Sequence, residues 1–436
     1  MAEAGRAASN PALVDSGAGL GDSGAGLVGS GPALGDSGPG LVGSGSAAES
    51  RVEQAGPGVP AAPVMARSAA VSAFCVFLVL GVLTASLGAS LPYLRERFGA
   101  EHEVGRVVSA YNLGALAATV CIGLLGRRLN VRAAPPVLLA VFAAGAAGMA
   151  ASPGWTAYLG CAAVTGIGYG GLALTLNTAF ARGFAGNSVV MVNRLNAVFG
   201  IGAMLGPLAA GAVGHTDIRL LALAAAVCAL PCFLVGRAGA VLAAPKGEPG
   251  AGAGGGGRRI GLQLLPFLLV GLVYAGMETS IGTWQSTQLV RDGWSTQAAT
   301  TAASGFWAGM AVGRLVLPQL TKRLPGRTTL PGYLAAGLGA LALAAVPHLA
   351  VVAYPLAGLA LAPVLPTLIA WVSGVAEVPQ QATSVLTLCC MLGNAVVPAV
   401  VGALSGSDGA TVIPLVLAGT CLLCLGLAVW LRAVRR

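Results

Sequence analysis

The sequence predicts an all-α membrane protein, with twelve transmembrane helices in two six-helix halves behind a disordered N-terminal tail. Three observations support this. Hydrophobic residues make up 56% of the 436 and charged residues only 9%, far below the roughly one quarter usual in soluble domains. Apolar runs of about 18 residues or more, enough for a helix to cross a bilayer, recur from residue 68 to the C-terminus. A single long polar break, residues 237–261, divides those runs six and six.

Residues 1–64 carry a seven-residue repeat, "DSGAGLG", "DSGAGLV", "GSGPALG", "DSGPGLV", "GSGSAAE", from Asp15 onward. Gly and Ser at that density can neither hold a helix nor bury a seam, so the segment reads as a disordered tail and not a coiled coil. It lacks the basic start and early apolar core of a signal peptide. Met65 opens "MARSAAVSAFCVFLVLG", a short basic stretch directly before the first span that reads like a natural start. The first half, 65–236, holds spans at 68–92, 104–125, 133–151, 155–180, 190–213 and 218–236; the second, 262–436, holds spans at 262–286, 297–319, 330–347, 349–373, 382–405 and 411–431. Between them "PKGEPGAGAGGGGRR" is a flexible, basic linker.

Charge sets the expected orientation. Of the 24 Lys and Arg residues, fifteen flank the spans on the N-terminal side of the membrane, against five, Arg95, Arg97, Arg106, Arg219 and Arg291, on the other. Both termini and the linker are therefore expected in the cytoplasm, with the protein multi-pass in the plasma membrane. The same scatter of cations in short loops explains the formal charge of +9 without a nucleic-acid partner. The nine cysteines fall inside apolar runs without metal-ligand spacing, and read as small core residues. No cofactor or metal is implied, and a monomer is expected.

Span five reads "RLNAVFGIGAMLGPLAAGAVG", in which Gly202, Gly206 and Gly211 recur at helical spacing and Pro207 removes a backbone donor. Such glycines let a neighbouring helix come close. With the six-plus-six layout, the stretch resembles motif C of the major facilitator superfamily, and "LGNAVVPAVVGAL" in span eleven echoes it. The loop "GLLGRRLNVR" resembles that superfamily's motif A, with Arg127, Arg128 and Arg132 as its basic residues; Arg127 stands where the family has Asp and Asn130 where it has Gly. The stretches "YAGMETSIGTW", "SGFWAGMAVGR", "GIGYGGLALTLNTAF" and "LAGLALAPVLPTL" are similar to the fucose permease-like branch, whose members are sugar:proton symporters. The resemblance covers residues 68–431 and implies the major facilitator fold and secondary transport. One departure stands out: the sugar-specific permeases have acids in spans one and four, and this chain has none in either.

Of fifteen acids, Glu278 alone lies inside a predicted span. Burial disfavours the charged form of a carboxyl group that has no cation close by, and an intramembrane acid marks a proton or substrate pathway more often than not. Tyr274, Glu278, Gly282 and Gln285 lie at i, i+4, i+8 and i+11, one helical face that could line a cavity. The bland alternative is a protonated Glu278 that only bridges helices. Trp284 and Trp307 could stack on a sugar ring or anchor at an interface. Asn112 and Asn177 could contact ligand or tie helices together. Arg194 and Arg314 lie near the cytoplasmic ends of their spans and are assigned to gating.

The leading expectation is proton-coupled transport of a small polar solute, a sugar being the candidate, by alternating access. Proton-driven export of a drug or metabolite is the alternative, because motif C is commonest among antiporters. A polytopic enzyme or sensor lacks support: no nucleophile constellation, metal cluster or nucleotide loop is present in the sequence.

Overall fold

In hydrocarbon a backbone has no water to bond, so each crossing segment must satisfy its own N–H and C=O groups, and helix is the consequence. The computed structural model describes residues 65–99, 104–125, 130, 132–184, 187–243, 262–346, 348–405 and 411–434, and no strand occurs among them. The tail 1–64, linker residues 244–261, Arg127 and Arg128 lie outside the described residues.

Span one is α1 (Arg67–Ala89), extended by the short α2 (Leu91–Phe98), which Gly99 closes in the left-handed conformation at φ 64°. Spans two to five are α3 (Arg106–Leu125), α4 (Ala134–Ala151), α5 (Trp155–Gly183) and α6 (Ser188–Asp217). Span six is α7 (Arg219–Ala229), a tighter 3-10 stretch (Leu230–Arg237), and α8 (Ala238–Ala243). Span seven is α9 (Leu265–Arg291); span eight is α10 (Thr296–Ala302) and α11 (Ser304–Leu320); span nine is α12 (Gly326–Leu343). Span ten is broken into α13 (Ala350–Leu361) and α14 (Val364–Val375), and spans eleven and twelve are α15 (Pro379–Ser405) and α16 (Val412–Val434).

Helix therefore occupies all twelve expected intervals, although only nine stretches among the described residues are long and apolar enough to cross a membrane on that criterion alone. The other three have identifiable causes. Span six changes helix type at Leu230, just before Pro231, span eight is interrupted at Ala303, and α12 begins with the polar residues Gly326–Thr329. Proline explains the break in span ten as well: Pro363 has no N–H to give and its ring crowds the preceding turn.

The packing repeats with an offset of six spans. α1 lies along α6 as α9 lies along α15; α3 pairs with α5 as α11 pairs with α13; α4 meets α7 as α12 meets α16. Glycine makes the first of these seams possible in both places. A Cβ on Gly202 would stand 2.3 Å from the Leu78 carbonyl oxygen and one on Gly206 2.4 Å from that of Val82; a Cβ on Gly393 would stand 2.0 Å from that of Leu272. Without a hydrophobic force between helices in lipid, such backbone proximity is the source of attraction.

Across the middle, α3 meets α15, α6 meets α10 and α11, and α1 meets α9. One end is closed tightly. Thr300 Oγ1 donates to the Ala89 carbonyl at 3.2 Å, Thr296 Oγ1 to Glu96 Oε1 at 3.0 Å, and a Cβ on Gly88 would lie 2.7 Å from the Gly282 carbonyl oxygen.

Gly202→Val should therefore lower the thermal midpoint sharply or abolish folded yield, overpacking of this kind costing at least about 1–3 kcal/mol. Gly339→Ala, which has open space around its Cβ, should leave the midpoint unchanged. Thermal unfolding in detergent checks both, and an undisturbed Gly202→Val protein would contradict the seam.

Candidate functional site

A cavity of about 170 Å³ lies between the first six spans and the last six. Its charged groups are Glu278, on α9, and Arg314, on α11. Arg314 Nη2 stands 3.7 Å from Glu278 Oε1, with the two side chains 46% and 16% exposed. The carboxylate thus has a counter-charge, contrary to the expectation of an acid without a cation near it. Arg314 is correspondingly a cavity residue, not only a residue of the cytoplasmic end. One turn of α11 separates it from Met310 and two from Trp307, so one helical face carries all three into the cavity.

Polar groups meet the pair from both sides. On α9, Thr279 Oγ1 donates to Asn394 Oδ1 at 2.9 Å and Thr283 Oγ1 to the Thr279 carbonyl at 2.6 Å. Opposite, Asn112 donates one N–H to the Val108 carbonyl at 2.9 Å and keeps its remaining amide groups for the cavity, while Thr84 Oγ1 and Tyr111 OH share a hydrogen bond of 2.8 Å. Aromatic rings form the remaining wall: Tyr111 stacks on Tyr169 with centroids 5.2 Å apart, and Phe199 tilts against Tyr169 at 6.2 Å. Trp307 packs over Gly282, and its Nε1 is buried with no hydrogen-bond partner among the described residues. A donor left unpaired beside a cavity is costly unless something fills the cavity and accepts from it.

The geometry brings Glu278, Arg314, Trp307 and Asn112 from the sequence-predicted set into the cavity lining. Tyr274 is buried one turn before Glu278, whose carboxylate its hydroxyl also meets, and its OH donates to the Leu361 carbonyl at 2.8 Å. Gln285 is buried outside the lining, donating to the Ala303 carbonyl at 3.2 Å. Both carbonyls sit at helix interruptions, where the regular ladder fails and side-chain donors take over. The cavity face of α9 is consequently Glu278, Thr279, Gly282 and Thr283, turned from the expected line. Trp284 also leaves the site: its Nε1 donates to the Pro398 carbonyl at 3.0 Å and its ring lies against Gly105 and Gly402. Asn177 ties α5 to α6 by accepting from Asn196 Nδ2 at 2.9 Å. Arg194 is exposed, 3.9 Å from Met191 sulfur, and Arg132 follows Asn130 in the turn before α4. Gly202 and Gly206 serve the helix seam, Gly211 packs on Thr301, and Pro207 lies inside α6.

Sequence reasoning missed Thr84, Tyr111, Tyr169, Thr279, Thr283 and Asn394. Asn394 stood in plain view within "LGNAVVP", a stretch read for its glycine and proline. Tyr111 lies beside Asn112, and lone aromatics in apolar spans give no signal of which way they face.

The profile of the Major Facilitator Superfamily matches residues 70–393. No curated protein matches the chain in sequence. Among solved structures, a nucleoside transporter superposes with a TM-score of 0.65 at 13% identity, over 84% of this chain and 98% of that one. A D-xylose-proton symporter gives 0.63 at 13% identity, over 82% and 96%. A variant of the Escherichia coli fucose:proton symporter gives 0.57 at 15% identity, over 83% and 98%. At these identities the likeness is one of fold.

Two tryptophans separate structure from binding. Trp284→Phe should lower stability by about 0.6–2 kcal/mol, the worth of an intramembrane hydrogen bond, and leave solute affinity unchanged. Trp307→Phe, which keeps the ring and removes the unpaired donor, should do the reverse, with affinity falling several-fold. Thermal unfolding and ligand titration on the purified variants measure both, and an affinity loss confined to Trp284→Phe would relocate the site.

Proposed function

The chain belongs to the major facilitator superfamily, and from that premise we propose that it carries a small polar solute, sugar-like in shape, across the plasma membrane in exchange for the free energy of a proton gradient. The protein is a multi-pass membrane transporter of that superfamily; the solute, the proton and the direction are our reading. In it all twelve intervals cross the bilayer, residues 65–236 and 262–436 rock as two halves, and the linker 237–261 and both termini face the cytoplasm.

One observation carries the coupling: the Glu278–Arg314 pair inside the cavity between the halves. A charged carboxylate holds the guanidinium to itself. Once protonated it releases Arg314, whose N–H donors, with those of Asn112, Asn394 and Trp307, are then free for the oxygens of a solute lying on the aromatic wall. Loss of the proton lets Glu278 reclaim Arg314 and expel the solute. Proton and solute therefore travel together. Export is a second reading, favoured by the Gly202–Gly206 seam between α1 and α6, which is the packing of a motif commonest among antiporters.

Glu278→Gln keeps the size and hydrogen bonding of the side chain but cannot ionise. It should abolish accumulation driven by a pH gradient in reconstituted vesicles while solute exchange and folding persist. Glu278→Asp should keep part of the accumulation. Full pH-driven accumulation by the Gln variant would reduce Glu278 to a helix bridge, and the sign of the gradient that drives uptake separates import from export.

The tightly closed end holds further support. Ser286 and Thr287 of α9 and Ser109 of α3 bury hydroxyls there with no partner among the described residues, as expected of surfaces that meet water in the opposite state. A single cysteine at position 286, in a background lacking the native cysteines, should react slowly with a membrane-impermeant thiol reagent in the closed state. Substrate that shifts the halves should change that rate at least several-fold, and in the opposite sense to a cysteine at Asn196. Parallel changes at the two positions would overturn the rocking mechanism.

A further inference from the structure

Span ten changes company at its break. Before it, α13 lies along α11 and α12; after it, α14 turns to α12, α15 and α9. The divergence leaves a groove of about 540 Å³ between the end of α11, the start of α12 and α14. Pro318, Leu324, Pro363, Pro366, Ala370 and Trp371 give it apolar walls. Beside it the α11 surface is hydrophobic and bare, with Leu315 71% and Leu320 73% exposed, a face only lipid tails can cover in a membrane.

Its rim is basic. Arg327, in the first turn of α12, lines the groove, and Lys322 and Arg323 lie in the turn between α11 and α12. All three are exposed, and none has an ion-pair or hydrogen-bond partner among the described residues. A largely apolar slot beside exposed leucines, with Arg327 in its lining and the unpaired Lys322 and Arg323 in the turn just before it, suits a chain-bearing anion.

We infer that this groove is a binding site for an anionic glycerophospholipid, with the phosphate-bearing headgroup on Arg327, Lys322 and Arg323 and one acyl chain wedged between α11 and α14 against Trp371. The chain fills space that the Pro363 break opens, and it keeps the lower half of span ten apart from span eight. Basic clusters at the cytoplasmic ends of membrane helices favour anionic headgroups; the groove adds what scattered surface cations lack, a defined place for the tail.

The test uses the purified full chain in detergent, titrated separately with phosphatidylglycerol, with phosphatidylcholine of the same acyl chains, and with inorganic phosphate. Native mass spectrometry reads retained lipid and thermal unfolding reads the effect on stability. Phosphatidylglycerol should be retained at least several-fold better than phosphatidylcholine and raise the midpoint. A Lys322→Gln, Arg323→Gln, Arg327→Gln variant should lose that preference; the three side chains are exposed, so folding is not at stake. Trp371→Ala should reduce retention of both lipids. Removing equivalent charges elsewhere, as in Arg182→Gln with Arg432→Gln, should leave the preference intact. Equal retention of the two lipids, an equal loss in the Arg182 and Arg432 variant, or the same stabilisation by inorganic phosphate alone would each overturn the site.

Discussion

A carboxylate in hydrocarbon needs a counter-charge or a proton, and the centre of this protein is shaped by that requirement at Glu278. Its counter-charge comes from a different helix, which obliges α9 and α11 to keep their registers. Arg314 in turn requires polar surroundings over the half of its side chain left uncovered. Asn112, Asn394, Thr279 and Thr283 provide them, and an aromatic wall closes the rest. The cavity is therefore the space that an ion pair within a membrane demands. A pair at 3.7 Å, with a single close contact and not a two-pronged one, is also one that a proton or a competing oxygen can break.

Around that centre the backbone is interrupted where polar side chains need partners. Pro363 divides span ten, and the Leu361 carbonyl nearby accepts from Tyr274. Ala303 divides span eight, and its carbonyl accepts from Gln285. Pro398 sits within α15, and its carbonyl accepts from Trp284. In each case a side-chain donor that looked available for a ligand reaches a backbone carbonyl of another span, as hydrocarbon surroundings favour. The irregularities are accordingly tied to α9 from three directions, which fixes the helix bearing Glu278 more firmly than apolar contact would.

The helical spans were legible because hydrophobicity over twenty residues is a local property of the chain. Glu278 was legible because one acid among apolar neighbours has few explanations. Arg314 was read by its depth alone, since its partner lies on another helix and no spacing within α11 reveals it. Of the expected face of α9, Glu278 and Gly282 line the cavity, Tyr274 meets the Glu278 carboxylate from beside it, and Gln285 lies outside the lining. Helical spacing fixes an angle to within a residue or so, and the packing of spans eight and ten decides which edge of that arc is covered. "LAPVLPTL" shows its prolines openly, yet which of them breaks the helix depends on what packs beside it.

The closed end sets small and polar groups among buried leucines, Leu87, Leu91, Leu94 and Leu289. Gly88 meets Gly282 backbone to backbone, Gly211 meets Thr301, and hydroxyls of Ser109, Ser286 and Thr287 are shut away with no partner among the described residues. Where glycine meets backbone, the halves can part without side chains being pulled from one another's pockets. Each buried, unpaired hydroxyl opposes closure by about 1–3 kcal/mol, recovered when water reaches it. Three of them offset a good part of what close packing gains. The rocking proposed here needs two states of similar free energy, and a seam of small residues over unpaired hydroxyls is how a closed state is kept from becoming too stable to reopen.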